Sequence, residues 1–412
     1  MSWHRSAASA VHRRIWQRLP RGLRRAVLLN ATSLLAPRPD PDAAPVPPVF
    51  VVGYFRTASG LGESARLCDA ACRALGLDTH SIDLSPDHMQ PIDLPHDAPA
   101  RARGHRGPGT VILHVNAPLV PLALRQLGRS FVKNKHIIGY WAWELESVPA
   151  EWCHGVAFVH RVWVPSRFTA EAVRRRTPAL PIRIVPHPLA VHDRPRAAGS
   201  EDRFRVLMVF NAASGFARKN PCAGIAAFRK AFAGDTTAEL IVKSSNLDVY
   251  PQARAMLAAA IGGQQNIRHI ADVLPPHDLE ALYDTADAVL SLHRSEGFGL
   301  VPAEAMLRGL PVVATDWSGN NDFLDADNGC PVRYRLIPAR DPQRVYDFLE
   351  LGWADADIDH AAELLQRLKN DPAWRTRIGQ RAAADAARLF SLEAFGAAMN
   401  EVVIPPSPPP CR

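Results

Sequence analysis

Two glutamates eight positions apart, Glu296 and Glu304, lie in the stretch Ser295-Glu296-Gly297-Phe298-Gly299-Leu300-Val301-Pro302-Ala303-Glu304-Ala305-Met306. A carboxylate accepts hydrogen bonds from a pair of hydroxyls. Two of them flanking an anion site suit a ligand that carries a polyol on either side of a phosphate. An apolar run ending near Leu292 precedes the stretch, so a buried strand is expected to lead into it. Gly297 and Gly299 allow backbone torsions closed to residues with a Cβ. Pro302 suits a first helical turn, where its missing N–H costs nothing. Gly309 then stops the helix, and Pro311 opens the next strand. This order of strand, glycine loop, helix and strand aims unpaired N–H groups and a positive helix end at the loop, and both favour a phosphate.

Cations should accompany a phosphate. Arg218-Lys219-Asn220-Pro221 follows the expected strand Arg205–Phe210 and the loop 211–216, and Lys243 ends the expected strand Glu239–Lys243. Ligands of open α/β sheets bind at the carboxyl ends of strands, which places these cations toward one crevice. The alternative is a solvated pair capping the helix after Pro221. Ser318 and Gly319, in the loop after the expected strand Pro311–Ala314, could approach a phosphate or sugar, although the Asn and Asp residues there are also ordinary turn formers.

Two further stretches lie earlier in the chain. Gly60-Leu61-Gly62 follows the apolar strand Val49–Tyr54 and precedes a helix, as a phosphate-binding turn would, but lacks the third glycine of a dinucleotide fingerprint. The stretch 136–152 brings Tyr140, Trp141, Trp143 and Trp152 together with Glu144 after a strand. Aromatic faces beside a carboxylate suit a sugar ring; aromatic clusters are equally common as core. His114, ending the strand Thr110–Val115, is a second polar candidate whose other reading is a satisfied core histidine.

The elements that position these residues fall into two runs. Strands at Val49–Tyr54, Thr110–Val115, His136–Tyr140, Arg161–Val164 and Ile182–Val185 alternate with helices, and a second run follows at Arg205–Phe210, Glu239–Lys243, Asn266–Ile270, Ala288–Leu292 and Pro311–Ala314. Continuous apolar strands separated by helices indicate parallel sheets covered on both faces. The expected division is a basic arm and Pro-rich linker over 1–48, one α/β domain over 49–195, a second over 196–375, and a terminal helix with a Pro-rich tail over 376–412.

Bulk properties narrow the function classes. The net charge is +7, yet residues 1–38 hold eight arginines and no acid, so the rest is close to neutral. That argues against a nucleic-acid groove and for a basic arm. Residues 1–36 read as amphipathic basic helices that could lie on an anionic membrane, pack on the protein or act as a leader. The six cysteines, Cys68, Cys72, Cys153, Cys222, Cys330 and Cys411, include no CxxC pair, which fits a reducing, cytoplasmic compartment. The apolar run 26–36 is too short to span a bilayer. Asp355-x-Asp357 is expected in a helix and is not read as a metal signature.

With these residues in place, Glu296 through Glu304 resembles the Glu-x7-Glu motif of retaining GT-B glycosyltransferases, and its surroundings resemble family 4 of that group. The resemblance implies an α/β GT-B architecture of two Rossmann-like, doubly wound domains facing a cleft, the first the acceptor domain and the second the donor-binding domain. It implies that Glu296 contacts the donor sugar and Glu304 the ribose, with Gly297, Phe298, Gly299, Leu300, Ser318 and Gly319 around the donor. Lys219 matches the family's loop lysine and Lys243 its strand-end lysine, both on the diphosphate. Many relatives carry an arginine six residues before the loop lysine; here that residue is Ala213, which leaves open whether Arg218 substitutes. Catalysis is therefore expected to rest on Glu296, Lys219, Lys243 and Arg218. Gly60 and Gly62 would face the diphosphate or acceptor, Trp143 and Glu144 the acceptor, and the stretch 272–274 the base. Many relatives place a histidine near the aromatic stretch; no clear equivalent exists here.

The implied chemistry is metal-free transfer of a hexose, with mannose as one candidate, and with retention. The donor is a GDP- or UDP-sugar, a substrate and not a cofactor. The acceptor is a glycan or lipid-linked acceptor in polysaccharide or glycoconjugate biosynthesis, with a peripheral location on the inner membrane face as an option. A sugar-nucleotide epimerase and a non-catalytic scaffold of an assembly complex are the alternatives.

Overall fold

The computed structural model of the chain describes residues 21–99, 105–190 and 203–399. The arginines before Arg21, most of the connection expected near 190–203, and the Pro-rich tail lie outside the described residues.

The first lobe is a parallel sheet. Its strands are β1 (Val49–Gly53), β2 (Thr79–Asp83), β3 (Gly109–Leu113), β4 (Lys135–Tyr140), β5 (Arg161–Val164) and β6 (Ile182–Ile184). They stand in the spatial order β2-β1-β3-β4-β5-β6. Register is direct, with Val51 beside both Ser81 and Ile112. Every residue of β1, β3 and β4 is buried, which is why apolar residues fill β1 and the middle of β3 and β4, although Thr110, Lys135 and His136 are buried there too. The edge strand β2 reads Thr-His-Ser-Ile-Asp, and no apolar run announces it.

Helices α1 (Arg21–Leu35), α2 (Gly60–Ala74), α3 (Val120–Leu127) and α4 (Arg167–Arg174) belong to this lobe. Cys68 and Cys72 are both buried on α2, consistent with core packing. The segment after α1 is a docked strap and not the stiff spacer its prolines imply. Val46 N–H donates to Thr110 Oγ1 at 2.9 Å, and that hydroxyl donates back to Val46 O. His136 Nδ1 lies 2.7 Å from Ala43 O, and His160 Nε2 lies 2.8 Å from Asp40 O. Two stacked imidazoles, with ring centroids 4.3 Å apart, thus hold the strap.

The second lobe repeats the plan. Strands β7 (Phe204–Asn211), β8 (Ala238–Ser245), β9 (Ile267–Ile270), β10 (Ala288–Ser291), β11 (Val312–Thr315) and β12 (Cys330–Val332) form a parallel sheet in the order β12-β11-β10-β7-β8-β9. Helices α5 (Pro221–Phe232), α6 (Ala253–Ile261), α7 (Pro276–Asp284), α8 (Leu300–Leu307), α9 (Ile358–Asn370) and α10 (Pro372–Leu389) accompany it. Chain order reverses between β7 and β10, so the loops after those two strands open a crevice.

Two segments cross back to the first lobe. An antiparallel hairpin, β13 (Tyr334–Ala339) and β14 (Phe348–Ala356), follows β12. Its Ala339, Tyr346 and Trp353 belong to the same buried cluster as Trp143 and Trp152. Asp355 consequently lies on a strand, correcting the helix expected there, and Asp357 caps α9 through the N–H groups of Asp359 and His360. Helix α11 (Leu392–Met399) places Phe395 and Met399 in the cluster that holds Cys68 and Cys72. Two parallel-sheet lobes of six strands each make this a GT-B architecture.

Acid should loosen the strap. Burial is the main cause that pushes His136 down to about 4 from its ordinary 6.5. The unfolded chain therefore takes up a proton first, and stability falls as pH drops from about 6.5 toward 4. Replacing His136 with Asn should flatten that slope by up to about one proton, roughly 1.4 kcal/mol per pH unit. Thermal melts of both chains across that window check it; identical slopes would contradict the assignment.

Candidate active site

The crevice between the ends of β7 and β10 holds a buried charge cluster. A one-turn helix, Phe216–Lys219, ends at Asn220, whose left-handed backbone (φ 50°) turns the chain into α5. Asn220 Nδ2 donates to Leu292 O at 3.0 Å, and Arg294 N–H donates to Arg218 O at 2.7 Å. The two loops are thereby joined side by side, and Arg218, Lys219 and Glu296 meet. Arg218 Nη1 lies 3.1 Å from Glu296 Oε2, and Lys219 Nζ bonds Glu296 Oε1. Burial opposes the charge on Glu296, yet Lys219, Arg218 and His293 outweigh it and hold the carboxyl well below the usual range.

The Glu296 loop is held from behind. Ser318 Oγ accepts from Glu296 N–H at 2.8 Å, and Gly319 N–H donates to Glu296 O at 2.9 Å. A Cβ on Gly319 would lie 2.5 Å from Gly297 O, so only glycine allows this approach. Ser318 itself takes φ 80°, a region side chains rarely adopt. Expected around the donor, Ser318 and Gly319 are both buried and support Glu296 from the protein side.

Gly299 (φ 104°) then starts α8. The first N–H groups of a helix lack intrahelical partners, so those of Leu300 and Val301 are donors that directly follow the Glu296 loop. Phe298 packs among Phe323, Phe390 and His187, a core role in place of a donor contact. Glu304 is half-buried and accepts from Tyr283 Oη at 3.2 Å. Burial, then the charge of Glu63 on α2, raises its carboxyl to about 7.

The cations divide by availability. The guanidinium of Arg218 is 2% exposed and donates to Ser214 O, Ser295 O and Glu296. Its expected role on the diphosphate is corrected accordingly: its donors are committed, and it holds Glu296. Lys219 is partly exposed beside Glu296. Lys243, at the end region of β8, is 6% exposed and makes no hydrogen bond or ion pair among the described residues. Burial lowers its pKa, opposed by the charge of Asp272. A buried ammonium without a partner is poised for an anion.

Across the crevice, Asp83 and Asp93 accept from the Phe55 and Ala58 N–H groups and shape the loop before α2. Gly62 is required there, since its Cβ would sit 2.3 Å from Thr57 O. Its N–H is taken by Ser59 Oγ at 3.1 Å, which corrects its expected role as a phosphate donor. Gly60, exposed at the start of α2, meets nothing within 4 Å of its missing Cβ. His114 is fully buried and bonds Ser64 Oγ at 2.7 Å, with Nε2 unpartnered among the described residues. Burial, then the field of His187, pushes it to about 3, so it is neutral at pH 7.

Trp143 and Glu144 are also placed otherwise than expected. Trp143 is 6% exposed against Trp152 and Tyr346, with its indole N–H on Ser147 O, so no face is free for a sugar. Glu144 Oε2 accepts from Tyr346 Oη at 2.8 Å. Sequence reasoning missed Tyr346, and also Ser166 and Thr169 of the first lobe, whose hydroxyls donate to Gly297 O at 2.6 and 3.2 Å. Arg167 pairs with Asp322 beside them. The Ser-x-x-Thr start of α4 announces a helix cap, but nothing in it names the partner across the lobes.

A model of family 4 glycosyltransferases in conflict systems matches residues 164–385, more than half of the chain. The chain belongs to this family. The D-inositol 3-phosphate glycosyltransferase of Frankia alni is 33% identical over 138 residues, 33% of this chain and 28% of that one. Its counterpart in Corynebacterium aurimucosum is 31% identical over 160 residues, 39% of this chain and 32% of that one. These matches span about a third of the relatives' length. HepE of Anabaena, crystallised with UDP and glucose, shares the fold at TM-score 0.61 and 13% identity, covering 86% of this chain and 98% of that one. Sucrose-phosphate synthase of Thermosynechococcus elongatus does so at TM-score 0.59 and 17% identity, covering 87% and 98%. The family 4 match runs from the end of β5 into α10 and so includes Arg218, Lys219, Lys243, Glu296 and Glu304.

Replacing Glu296 with Gln leaves the buried Arg218 without its nearest counter-charge and the partly exposed Lys219 without its carboxylate partner. Breaking such a group should cost about 3–5 kcal/mol. Denaturant unfolding checks it, and a change below about 0.5 kcal/mol would remove Glu296 from the centre of the cluster.

Proposed function

We propose that the chain transfers a hexose from a nucleotide-sugar to a glycan or lipid-linked acceptor, with retention and without a metal. The observation that carries this reading is the set of groups at the β7/β10 crevice. Lys243 is buried with no partner among the described residues, Lys219 is partly exposed beside Glu296, α8 begins directly after the Glu296 loop, and Glu304 is half-buried on that helix. A nucleoside diphosphate leaving group would gather charge where these preorganised donors stand. Glu304 suits the ribose hydroxyls, and Glu296 the sugar. A front-face route supports retention: the departing phosphate accepts the acceptor's proton, and no protein nucleophile is required. UDP-sugars are the first donors to test, because HepE was crystallised with UDP and glucose, with GDP-mannose as the second arm. The relatives' name adds a phosphorylated polyol to the acceptors worth testing.

Lys243→Ala should weaken UDP binding by about 1.5–3 kcal/mol, the range for hydrogen bonds to charged groups. Glu304→Ala should abolish measurable donor turnover. Because Glu304 titrates near 7 in the free protein, donor affinity should rise as pH climbs through about 7, and Glu304→Gln should remove that rise. Calorimetry across pH 6–8 decides, and wild-type transfer by Glu304→Ala would count against the proposal.

Peripheral membrane contact is part of the same proposal. It rests on the acid-free basic stretch 1–38 and on α1, which ends with Leu34 and Leu35 at 85% and 65% exposure. Among the described residues no helix is long and apolar enough to cross a membrane. Vesicles containing about 30% anionic lipid should bind the chain at low salt and release it as salt screens the attraction. Equal binding to neutral vesicles would refute this mode.

A further inference from the structure

We propose that the hairpin β13–β14 is a clasp between the lobes, and that Tyr346 and Glu144 are positioning residues that hold Arg218, and through it Glu296, in working geometry. This rests on the donor-site reading above and goes beyond it, since it assigns a role to two residues through their contacts with Arg218.

Four side chains from distant chain segments meet. Tyr346 Oη donates to Glu144 Oε2 at 2.8 Å. The guanidinium of Arg218 lies over the Tyr346 ring, 5.3 Å from its centroid. Glu144 Oε1 stands 3.9 Å from Arg218 Nη2, and Arg218 Nη1 donates to Glu296 at 3.1 Å. With Lys219, the group holds two carboxylates against two cations. Removing the charge of Glu144 leaves an excess positive charge in a buried place, where Arg218 must shift or draw solvent.

The hairpin is built to present Tyr346. Asp341, 1% exposed, accepts from the Val345 and Tyr346 N–H groups at 2.9 and 3.0 Å. Gln343 Nε2 donates to Ala212 O at 3.1 Å, anchoring the hairpin loop to the donor loop. On the other side the Tyr346 ring packs against Trp143 at 5.3 Å, and Trp353 is buried in the first lobe's core. Gly352 N–H also reaches Glu146 at 3.4 Å, so the strand contacts the same loop that carries Glu144. A movement of one lobe away from the other would part Glu144 from Tyr346 and release one wall of the Arg218 site. The geometry of Glu296 therefore depends on the lobes being together. Nucleotide capture by Lys243 and the α8 N-terminus does not.

The test uses the full chain with Glu144→Gln and Tyr346→Phe, and with Glu171→Gln of the exposed Arg174 pair as control. In the free protein, amide exchange of peptides covering 212–220 and 294–299 should rise about tenfold in the two variants and not in the control. Transfer kcat should fall about tenfold, while the Kd for UDP stays within about twofold of wild type. Unchanged exchange and kcat in both variants overturn the clasp. So does a loss of kcat matched by an equal loss of UDP affinity, which would mark a general structural defect. A wild-type chain that binds no nucleotide defeats the donor-site reading instead, and exchange at the two peptides still decides the clasp.

Discussion

A carboxylate cannot stay ionised out of water unless cations and hydrogen bonds meet it, and Glu296 is the buried carboxylate about which this molecule is arranged. Arg218 and Lys219 lie against its two oxygens, Ser318 takes its N–H, and Gly319 takes its carbonyl. The partners come from two loops, one carrying Arg218 and Lys219 and the other Ser318 and Gly319, so together with the Glu296 loop the requirement fixes three loops relative to one another. The strained backbone of Ser318 and the close approach of Gly319 follow from it. Removing one partner from such a group costs far more than the group contributes by existing, so its geometry is well defined.

The sheet topology delivers these loops. Because the second sheet reverses order between β7 and β10, the loops after both strands lie beside each other at one edge. The first lobe closes the crevice through contacts that are individually modest. Ser166 and Thr169 bond Gly297 O, Arg167 pairs with Asp322, and Ala58 O accepts from Asn211 Nδ2 at 3.0 Å. The hairpin and α11 add apolar burial on the first lobe's own core clusters. Two chain returns, one on each core cluster, tie the lobes more firmly than a single connection near residue 200 would.

The division of labour among the cations follows from exposure and pairing. Lys219 and Arg218 are neighbours in sequence, yet Arg218 is enclosed by carbonyls, Glu296 and the Tyr346 ring, while Lys219 retains access. Arg suits the enclosed place because its rigid fork satisfies several acceptors at once. Lys243, without a hydrogen-bond or ion-pair partner among the described residues, keeps its capacity for a ligand.

From the sequence alone, the two parallel sheets were legible, because strands covered on both faces must be continuous apolar runs and those runs are visible. The glycine loop, Pro302 and the short helix were legible because each demands a backbone conformation that few residues permit. The polar edge strand β2 and the hairpin were not, since neither carries an unbroken apolar run. Residue type and spacing determined that carboxylates and cations would gather at strand ends. Only the tertiary structure decided which cation is spent on Glu296, and that Trp143 and Glu144 are enclosed by Tyr346. Pairing and burial depend on neighbours brought from as far as 206 positions away in the chain, and no local pattern encodes which of them arrive.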